Sequence, residues 1–216
     1  MKKWKSALII TSVVVLISLL FFFLPPEDIF KHTPILKSFY QNTTLEVTVP
    51  NGKASVKVNG KEYGETPVNV QNLIAGEYEV ELERISTESG YYKPQIFKIQ
   101  LSKNSTSRIN IEIGPDDNLY GSVLYYTEDN NIGSNKGKLT ITTNAINSKI
   151  YLNSEFLKSA PITNLDINEG EYEIKIEAKN FESLTVPIVV RKGYTLNIKG
   201  YLLPIPVIFE EVQLDE

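Results

Sequence analysis

The sequence predicts an all-β protein with two small tandem domains behind one N-terminal membrane-spanning helix. Three observations support this prediction. Residues 56–83 recur as residues 150–177, a shift of 94 positions with no insertion or deletion. Short segments in both copies alternate apolar and polar side chains, which is the period of a strand with one buried face. A long uncharged run, residues 7–24, lies near the N-terminus. Because a repeat at a fixed spacing indicates one structural unit used twice, we expect two domains of the same fold.

Composition narrows the function classes. The chain has 216 residues, with 22 Lys plus Arg against 26 Asp plus Glu and a formal net charge of −4. This mildly acidic balance argues against a nucleic-acid partner, which needs a concentrated basic surface. The chain has no cysteine, so disulfides, cysteine metal sites and thiol catalysis are all excluded.

Catalytic chemistry is not indicated by any cluster of residues. Acid–base enzymes need paired titratable groups in a pocket, and nucleophilic enzymes need a base beside the nucleophile. His32 is the only histidine and has no acidic or histidine partner at ligand spacing. A carboxylate-based glycosidase is disfavoured because the glutamates lie on regular strand faces. We therefore predict no catalytic residue, no metal site and no cofactor.

The N-terminus resembles an uncleaved signal anchor. Residues 1–6 hold three lysines, and the uncharged residues 7–24 would rise about 27 Å as a helix, close to the thickness of a bilayer core. Because positive charge stays inside, we expect a single-pass membrane protein with a cytoplasmic N-terminus and the bulk of the chain extracellular or periplasmic. A cleaved signal peptide is the alternative, but this apolar run is longer than usual and no small-x-small site follows it. Residues 25–43 would form a juxtamembrane spacer.

The first repeat is predicted to cover residues 44–114. Asn59-Gly60 is a strong signal for a two-residue hairpin turn, since both positions accept positive φ. In the segment 77–83 the apolar side chains share one face and four glutamates share the other. Neighbouring glutamates on one strand face are about 7 Å apart, which favours a solvated face over a cation site.

The ordered motifs of this repeat resemble those of the PEGA domain family. The pieces are Pro50-Asn51-Gly52-Lys53-Ala54, Asn59-Gly60, Gly64-Glu65-Thr66-Pro67, Ala75-Gly76-Glu77-Tyr78 and Gly90-Tyr91. Lys53 is one residue more than the naming motif has, which implies a bulged first turn. The resemblance implies a small β-sandwich of the transthyretin or carboxypeptidase-regulatory type. It also implies a prokaryotic cell-surface or envelope protein, and it supplies no catalytic residue.

Residues 115–137 are predicted to be a polar linker. Asp, Asn and Gly dominate its ends, and these residues form turns. Calcium binding by the Asp and Asn clusters is an alternative, but the spacing of a dedicated calcium loop is missing. A short aromatic patch within the linker, Tyr120 to Tyr126, is expected to pack one short strand onto a neighbouring domain.

The second repeat, residues 138–203, keeps the apolar positions of the first while its turn residues vary. Ser154 stands where the first repeat has Gly60, so positive φ costs more there and we expect a longer or different hairpin. Residues 204–216 would form a C-terminal tail.

Two functions compete on this evidence. The leading hypothesis is a non-catalytic, membrane-anchored surface protein whose repeats act as a stalk or an adhesion module. The alternative is a glycan- or peptidoglycan-binding envelope module that uses Tyr91, Tyr92 or Phe181 as ligand contacts, since exposed aromatic rings can stack on sugars. The expected partners are the lipid bilayer through residues 7–24 and either an envelope glycan or another surface protein.

Overall fold

The structure is a computed structural model that describes residues 11, 12, 14, 15, 18, 41–87, 90–115, 118–133 and 135–206. Most of the predicted anchor and spacer, and the end of the tail, therefore lie outside the described residues. Within this described part, no helix has the length and apolar character needed to cross a membrane.

From residue 41 onward the described chain is built of fifteen strands, which confirms the all-β prediction. The strands are β1 (Gln41–Thr48), β2 (Ala54–Val58), β3 (Lys61–Glu65), β4 (Val68–Ile74), β5 (Gly76–Arg84), β6 (Gln95–Leu101), β7 (Thr106–Ile113), β8 (Leu119–Glu128), β9 (Lys136–Thr143), β10 (Lys149–Leu152), β11 (Glu155–Ser159), β12 (Ile162–Asn168), β13 (Gly170–Glu177), β14 (Leu184–Val190) and β15 (Tyr194–Tyr201).

The duplication is visible in the strand order. The first repeat contributes a four-stranded sheet in the order β3-β2-β5-β6, and the second contributes one in the order β11-β10-β13-β14. Equivalent strands thus occupy equivalent places. The proline bonds Thr66-Pro67 and Ala160-Pro161, which the repeat places at equivalent positions, are both cis.

The third sheet joins the two repeats. It has seven strands in the order β12-β9-β15-β8-β7-β1-β4, so equivalent strands lie at equal distances on either side of β8. Both β7 and β15 pair antiparallel with β8, and they therefore run parallel to each other. The two halves of this sheet are related by an approximate two-fold axis along β8, a strand that has no counterpart in the repeat.

The two small sheets cover opposite faces of the seven-stranded sheet. Along β8, Leu119 and Val123 belong to the core of the first repeat, whereas Leu124 and Tyr126 belong to the core of the second. Successive side chains of a strand point to opposite faces, so β8 supplies both cores at once. Each repeat is a sandwich of its own small sheet on one half of the shared sheet.

Two sequence-based predictions need correction here. Residues 119–128 of the predicted linker form β8, a ten-residue strand whose middle is buried on both faces, because it completes two sandwiches rather than separating them. The aromatic patch does form a strand, but one at the centre of the shared sheet.

The predicted difference between the two hairpin turns was also wrong. Val58 pairs with Lys61 and Leu152 pairs with Glu155, so both loops have two residues. Ser154 adopts φ 70° where Gly60 adopts φ 75°. The turn at Ser154 therefore has the same backbone conformation despite the cost of a Cβ.

The reason lies in the asparagine that precedes each of these residues. Asn153 donates its N–H to the Glu173 carbonyl at 2.9 Å and accepts the Glu173 N–H on Oδ1 at 2.9 Å. Asn59 makes the same two bonds to Glu79, each at 2.8 Å. Hydrogen bonds to the neighbouring strand thus hold the turn in this conformation. Two hydrogen bonds of about 1 kcal/mol each offset the conformational energy that a positive φ costs at Ser154.

Candidate functional site

Tyr91 and Tyr92 lie in the loop before β6, with their rings edge to face at 5.0 Å between centroids. Tyr91 is 49% exposed, whereas Tyr92 packs against the core of the first repeat. The two rings therefore differ in what they offer. Of the two residues, Tyr91 is the more exposed and is better placed to contact a ligand.

Arg84 holds Tyr92 in place. Its guanidinium carbon lies 4.7 Å from the centroid of the Tyr92 ring, a cation–π contact. The same guanidinium donates to the Glu112 carboxylate, to the Ile113 carbonyl at 2.6 Å and to the Asn51 carbonyl at 2.9 Å. This network fastens the end of β5 to β7 and indicates a structural role for Tyr92.

Phe181 occupies the position in the second repeat that Tyr92 occupies in the first. Val80 pairs with Phe97 and Ile174 pairs with Val186, and each aromatic ring lies five residues before its β6 or β14 partner. Phe181 is half-buried against the second core and bridges to Pro204. It also lines a groove of about 520 Å³. The three predicted ligand contacts thus belong to separate repeats and do not form one site.

The glutamate row of β5 lies on the outer face of the small sheet, as predicted. Glu81 forms an ion pair with Lys57 of the adjacent strand at 3.0 Å, and Glu79 lies opposite Lys98 of β6. In the part of the chain that the structure describes, no group of His, Asp and Glu side chains is placed to hold a metal ion.

Of the linker aspartates that the calcium alternative involves, the structure describes Asp129, whereas Asp116 and Asp117 lie outside the described residues. Asp129 Oδ2 accepts from Lys138 Nζ at 2.7 Å, and its Oδ1 accepts the Asn131 N–H at 2.9 Å. The Lys138 hydrogen bond, together with that from the Asn131 N–H, holds the pKa of the Asp129 carboxyl below its usual value. Both carboxylate oxygens are thus engaged by protein groups.

A groove that the sequence did not suggest runs beside β6. Its two parts have volumes of about 420 and 600 Å³, and both are lined by Glu77, Gln100 and Tyr125. Tyr125 comes from β8, and burial raises the pKa of its hydroxyl. The Lys199 ammonium lies 5.9 Å from the centroid of the Tyr125 ring. An aromatic ring with carboxylates and amides around it is a typical ligand-binding composition.

The second repeat has an equivalent groove of about 450 Å³ with a different lining. Asn153, Glu171 and Tyr172 correspond to Asn59, Glu77 and Tyr78, but the lining includes Arg108 of β7 and no ring from β8. The strand residues Pro187 and Val189 stand where β6 has Lys98 and Gln100. The aromatic patch is a sequence signal for Tyr125, but it does not show that β8 lies beside β6. The linker prediction for residues 115–137 therefore did not include this groove.

Residues 38–117 and 136–205 match the family model of the PEGA domain. Among solved structures, the chain is similar to the Bacillus anthracis TIE protein, at 14% identity and a TM-score of 0.25. That match covers 74% of this chain and 34% of the other, so this chain spans about a third of that protein. It is also similar to a "putative carbohydrate binding protein from Bacteroides uniformis ATCC 8492", at 11% identity and a TM-score of 0.23, over 69% of this chain and 100% of the other. No curated protein matches the chain.

Proposed function

The chain belongs to the PEGA domain family, and from that premise we propose that it is a non-catalytic, membrane-anchored cell-surface protein. Its two repeats form a stiff stalk or adhesion module that projects from the membrane. The PEGA domain is a non-catalytic module, which is consistent with this proposal.

The observation that supports a stalk is the sharing of β8. Strand β7 of the first repeat and β15 of the second both pair with β8, over six and eight residue pairs respectively. Rotation of one repeat against the other would break one of these ladders. A flexible polar linker would impose no such restraint, so the fused sheet favours a unit that keeps its ends at a fixed separation.

Spin labels can test this stiffness directly. Because the chain has no cysteine, single cysteines at Glu62 in β3 and Glu155 in β11 would carry the only two labels. Both positions are exposed and lie in different repeats. We expect a narrow distance distribution from double electron–electron resonance. A broad distribution would contradict a stiff stalk and favour independently moving domains.

The membrane anchor in this proposal rests on residues 7–24 and on the lysines before them. Cells that produce the full chain with a C-terminal epitope can be treated with protease while intact. We expect the epitope to be lost from intact cells and the untreated protein to require detergent for extraction. An epitope protected until the cells are broken would refute the surface location. A mature N-terminus beyond Leu24 would refute the anchor.

Glycan binding through Tyr91 is the second candidate, and the exposure of its ring favours it. Retention on purified cell-wall polysaccharide tests it, with Tyr91→Ala as the variant. Tyr92→Ala is less informative, because Tyr92 is part of the Arg84 contact and packs on the core. Retention that Tyr91→Ala does not reduce would exclude this site. The same assay with Phe181→Ala would test the equivalent position in the second repeat, where a loss of core packing must be checked separately by thermal unfolding.

A further inference from the structure

Among the residues that the structure describes, no strand pairs with the outer edge of β6. Strand β6 is the outer strand of its four-stranded sheet, and in the described part of the chain its one strand partner is β5. An unpaired edge offers a row of backbone N–H and C=O groups to another chain.

The direction of these groups follows from the contacts of Glu79. Its N–H and carbonyl both bond to Asn59, which lies on the side of β5 away from β6. The Glu79–Lys98 pair therefore exchanges no backbone hydrogen bonds. Consequently the N–H and carbonyl of Lys98 point away from β5, toward the open side. Ile96 and Gln100, two residues away on either side, have the same orientation.

The equivalent edge in the second repeat offers fewer free backbone groups. Pro187 stands at the position of Lys98 and has no N–H to offer. Val189 stands at the position of Gln100, and its carbonyl accepts the Tyr126 hydroxyl at 2.7 Å. Proline and a covering side chain are two ways in which proteins protect strand edges. The duplication has thus produced one partly protected edge and one open edge.

The open edge also has a groove beside it. Tyr125 lines this groove together with Lys98 and Gln100, and its ring could pack against an apolar side chain of a bound strand. At the end of β6, two carboxylates (Glu77 and Glu128) and one ammonium group (Lys103) line the same groove, so carboxylates are in excess. On the outer face, Ile96 is 58% exposed beside the edge.

We propose that the edge of β6 binds an extended peptide segment of a partner protein by strand addition. The peptide adds a fifth strand to the small sheet through the backbone groups of Ile96, Lys98 and Gln100. It places an apolar or aromatic side chain over Tyr125 and a basic side chain near Glu77 and Glu128. Backbone bonds supply affinity in this mode, and alternate side chains supply specificity. This inference does not depend on the membrane anchor.

Two other occupants fit the observations less well. Antiparallel pairing of β6 with its own copy about Lys98 would bring two lysines face to face, and like charges directly opposite are destabilising. A glycan would use side chains and the Tyr125 ring, but its hydroxyls would not repeat at the two-residue spacing of the outward backbone groups.

The test uses the full chain and a displayed library of random seven-residue peptides. An enriched peptide is synthesised, and its affinity for variants is measured by fluorescence anisotropy. Lys98→Pro removes the outward N–H together with the lysine side chain, and it copies the residue found at the equivalent site of β14. Lys98→Ala removes the charge but keeps the N–H. We expect Lys98→Pro to weaken binding at least about tenfold, because it loses a backbone bond and blocks the strand, and Lys98→Ala to change it less than about threefold. The thermal midpoint of each variant shows that the fold is kept.

Several outcomes would overturn the proposal. In the first, the parent chain enriches no peptide that a Lys98→Pro chain, used as the bait in a parallel selection, does not also enrich. In the second, Lys98→Ala weakens peptide binding as much as Lys98→Pro does. Retention of the chain on polysaccharide, lost in Tyr125→Ala but unchanged in Lys98→Pro, would assign the groove to a glycan instead. A dimer in sedimentation experiments that Lys98→Pro dissociates would assign the edge to a second copy of this chain.

Discussion

Val123 and Leu124 are consecutive residues of β8, yet their side chains enter different hydrophobic cores. Both are buried, Val123 completely and Leu124 to all but 6%. One strand therefore contributes to the stability of two sandwiches. Because neither core is complete without β8, the two repeats should unfold together as one cooperative unit.

Truncation of Leu124 tests this coupling. Leu124→Ala removes buried methyl groups from the second core and should cost about 2–5 kcal/mol of unfolding free energy. We expect scanning calorimetry to show a single transition for the parent chain and a single transition, at lower temperature, for the variant. Ile150→Ala, in a strand that serves the second core alone, is the matched control and should also shift the whole transition. Two separate transitions, with only one of them shifted, would contradict the shared-core account.

Gly121 in β8 should tolerate no side chain. It adopts φ 134°, and a Cβ there would lie 2.1 Å from the Asn110 carbonyl oxygen. Since the neighbour is backbone in the adjacent strand, β7 would have to move, and we expect Gly121→Ala to cost at least about 2 kcal/mol in denaturant unfolding. Gly133, whose added Cβ would meet nothing within 4 Å, is the control position. If Gly121→Ala lost no more unfolding free energy than Gly133→Ala, the chain would accommodate the contact with the Asn110 carbonyl at no cost.

The sequence predicted the strands and the duplication because strand alternation and a fixed repeat are local signals. It did not predict that β8 is shared. The apolar and aromatic residues of this strand fill both faces, and a run without alternation is typical of a strand buried on both sides. The flanking Asp, Asn and Gly residues favoured the linker interpretation instead. The sequence also contains the equivalence of Tyr92 and Phe181. It becomes visible only with a spacing of 89 residues, because the loop before these residues is five residues shorter in the second repeat.

The candidate groove depends on information that one sequence does not contain. Tyr125 meets β6 only because β8 lies beneath it in the folded protein, and the open edge follows from the directions of backbone groups. Likewise, the turn at Ser154 depends on the contact between Asn153 and a distant strand. In each case a tertiary contact outweighs the local preference of the residue.

Exchange of turn residues between the two repeats should change stability in opposite directions. Ser154→Gly relieves the positive φ of an L-residue and should stabilise the chain by about 0.5 kcal/mol, after the extra flexibility of glycine in the unfolded state is subtracted. Gly60→Ser should destabilise it by a similar amount or more, about 0.5–1 kcal/mol. Urea unfolding measures both. If Ser154→Gly were destabilising, the serine side chain would have a stabilising role that its exposed position does not suggest.

Asp129 should make a measurable contribution to the pH dependence of stability. The folded protein holds the pKa of its carboxyl below the unfolded value, so this contribution is complete above about pH 4 and is lost as the pH falls through the lower, folded pKa. Asp129→Asn should therefore be less stable than the parent at pH 7, and the difference should shrink below about pH 4. A difference in midpoint that stays constant from pH 7 to pH 2.5 would show that the charge is not involved.

The Arg84–Glu112 ion pair is largely buried, and the Lys53–Glu65 pair is an exposed pair with which its contribution to stability can be compared. The Arg84 and Glu112 side chains are 18% and 20% exposed, whereas Lys53 and Glu65 are 64% and 54% exposed. Arg84→Met removes the donor to Glu112 Oε1 and to two carbonyls, although Glu112 Oε2 still accepts the Asn51 N–H. We expect a loss of about 2–4 kcal/mol in urea unfolding. Lys53→Met should cost less than about 1 kcal/mol, because water replaces the lost partner.

The conservative substitution Arg84→Lys then separates charge from geometry. A lysine keeps the positive charge, but it cannot donate in several fixed directions while stacking on the Tyr92 ring. We expect it to recover less than half of the loss seen in Arg84→Met, and we expect the near-ultraviolet circular dichroism of the tyrosines to change in both variants because Tyr92 is released. If Arg84→Lys recovered all of the unfolding free energy lost in Arg84→Met, the network would need only a cation. The contact with the Tyr92 ring would then contribute little to the stability of the first repeat.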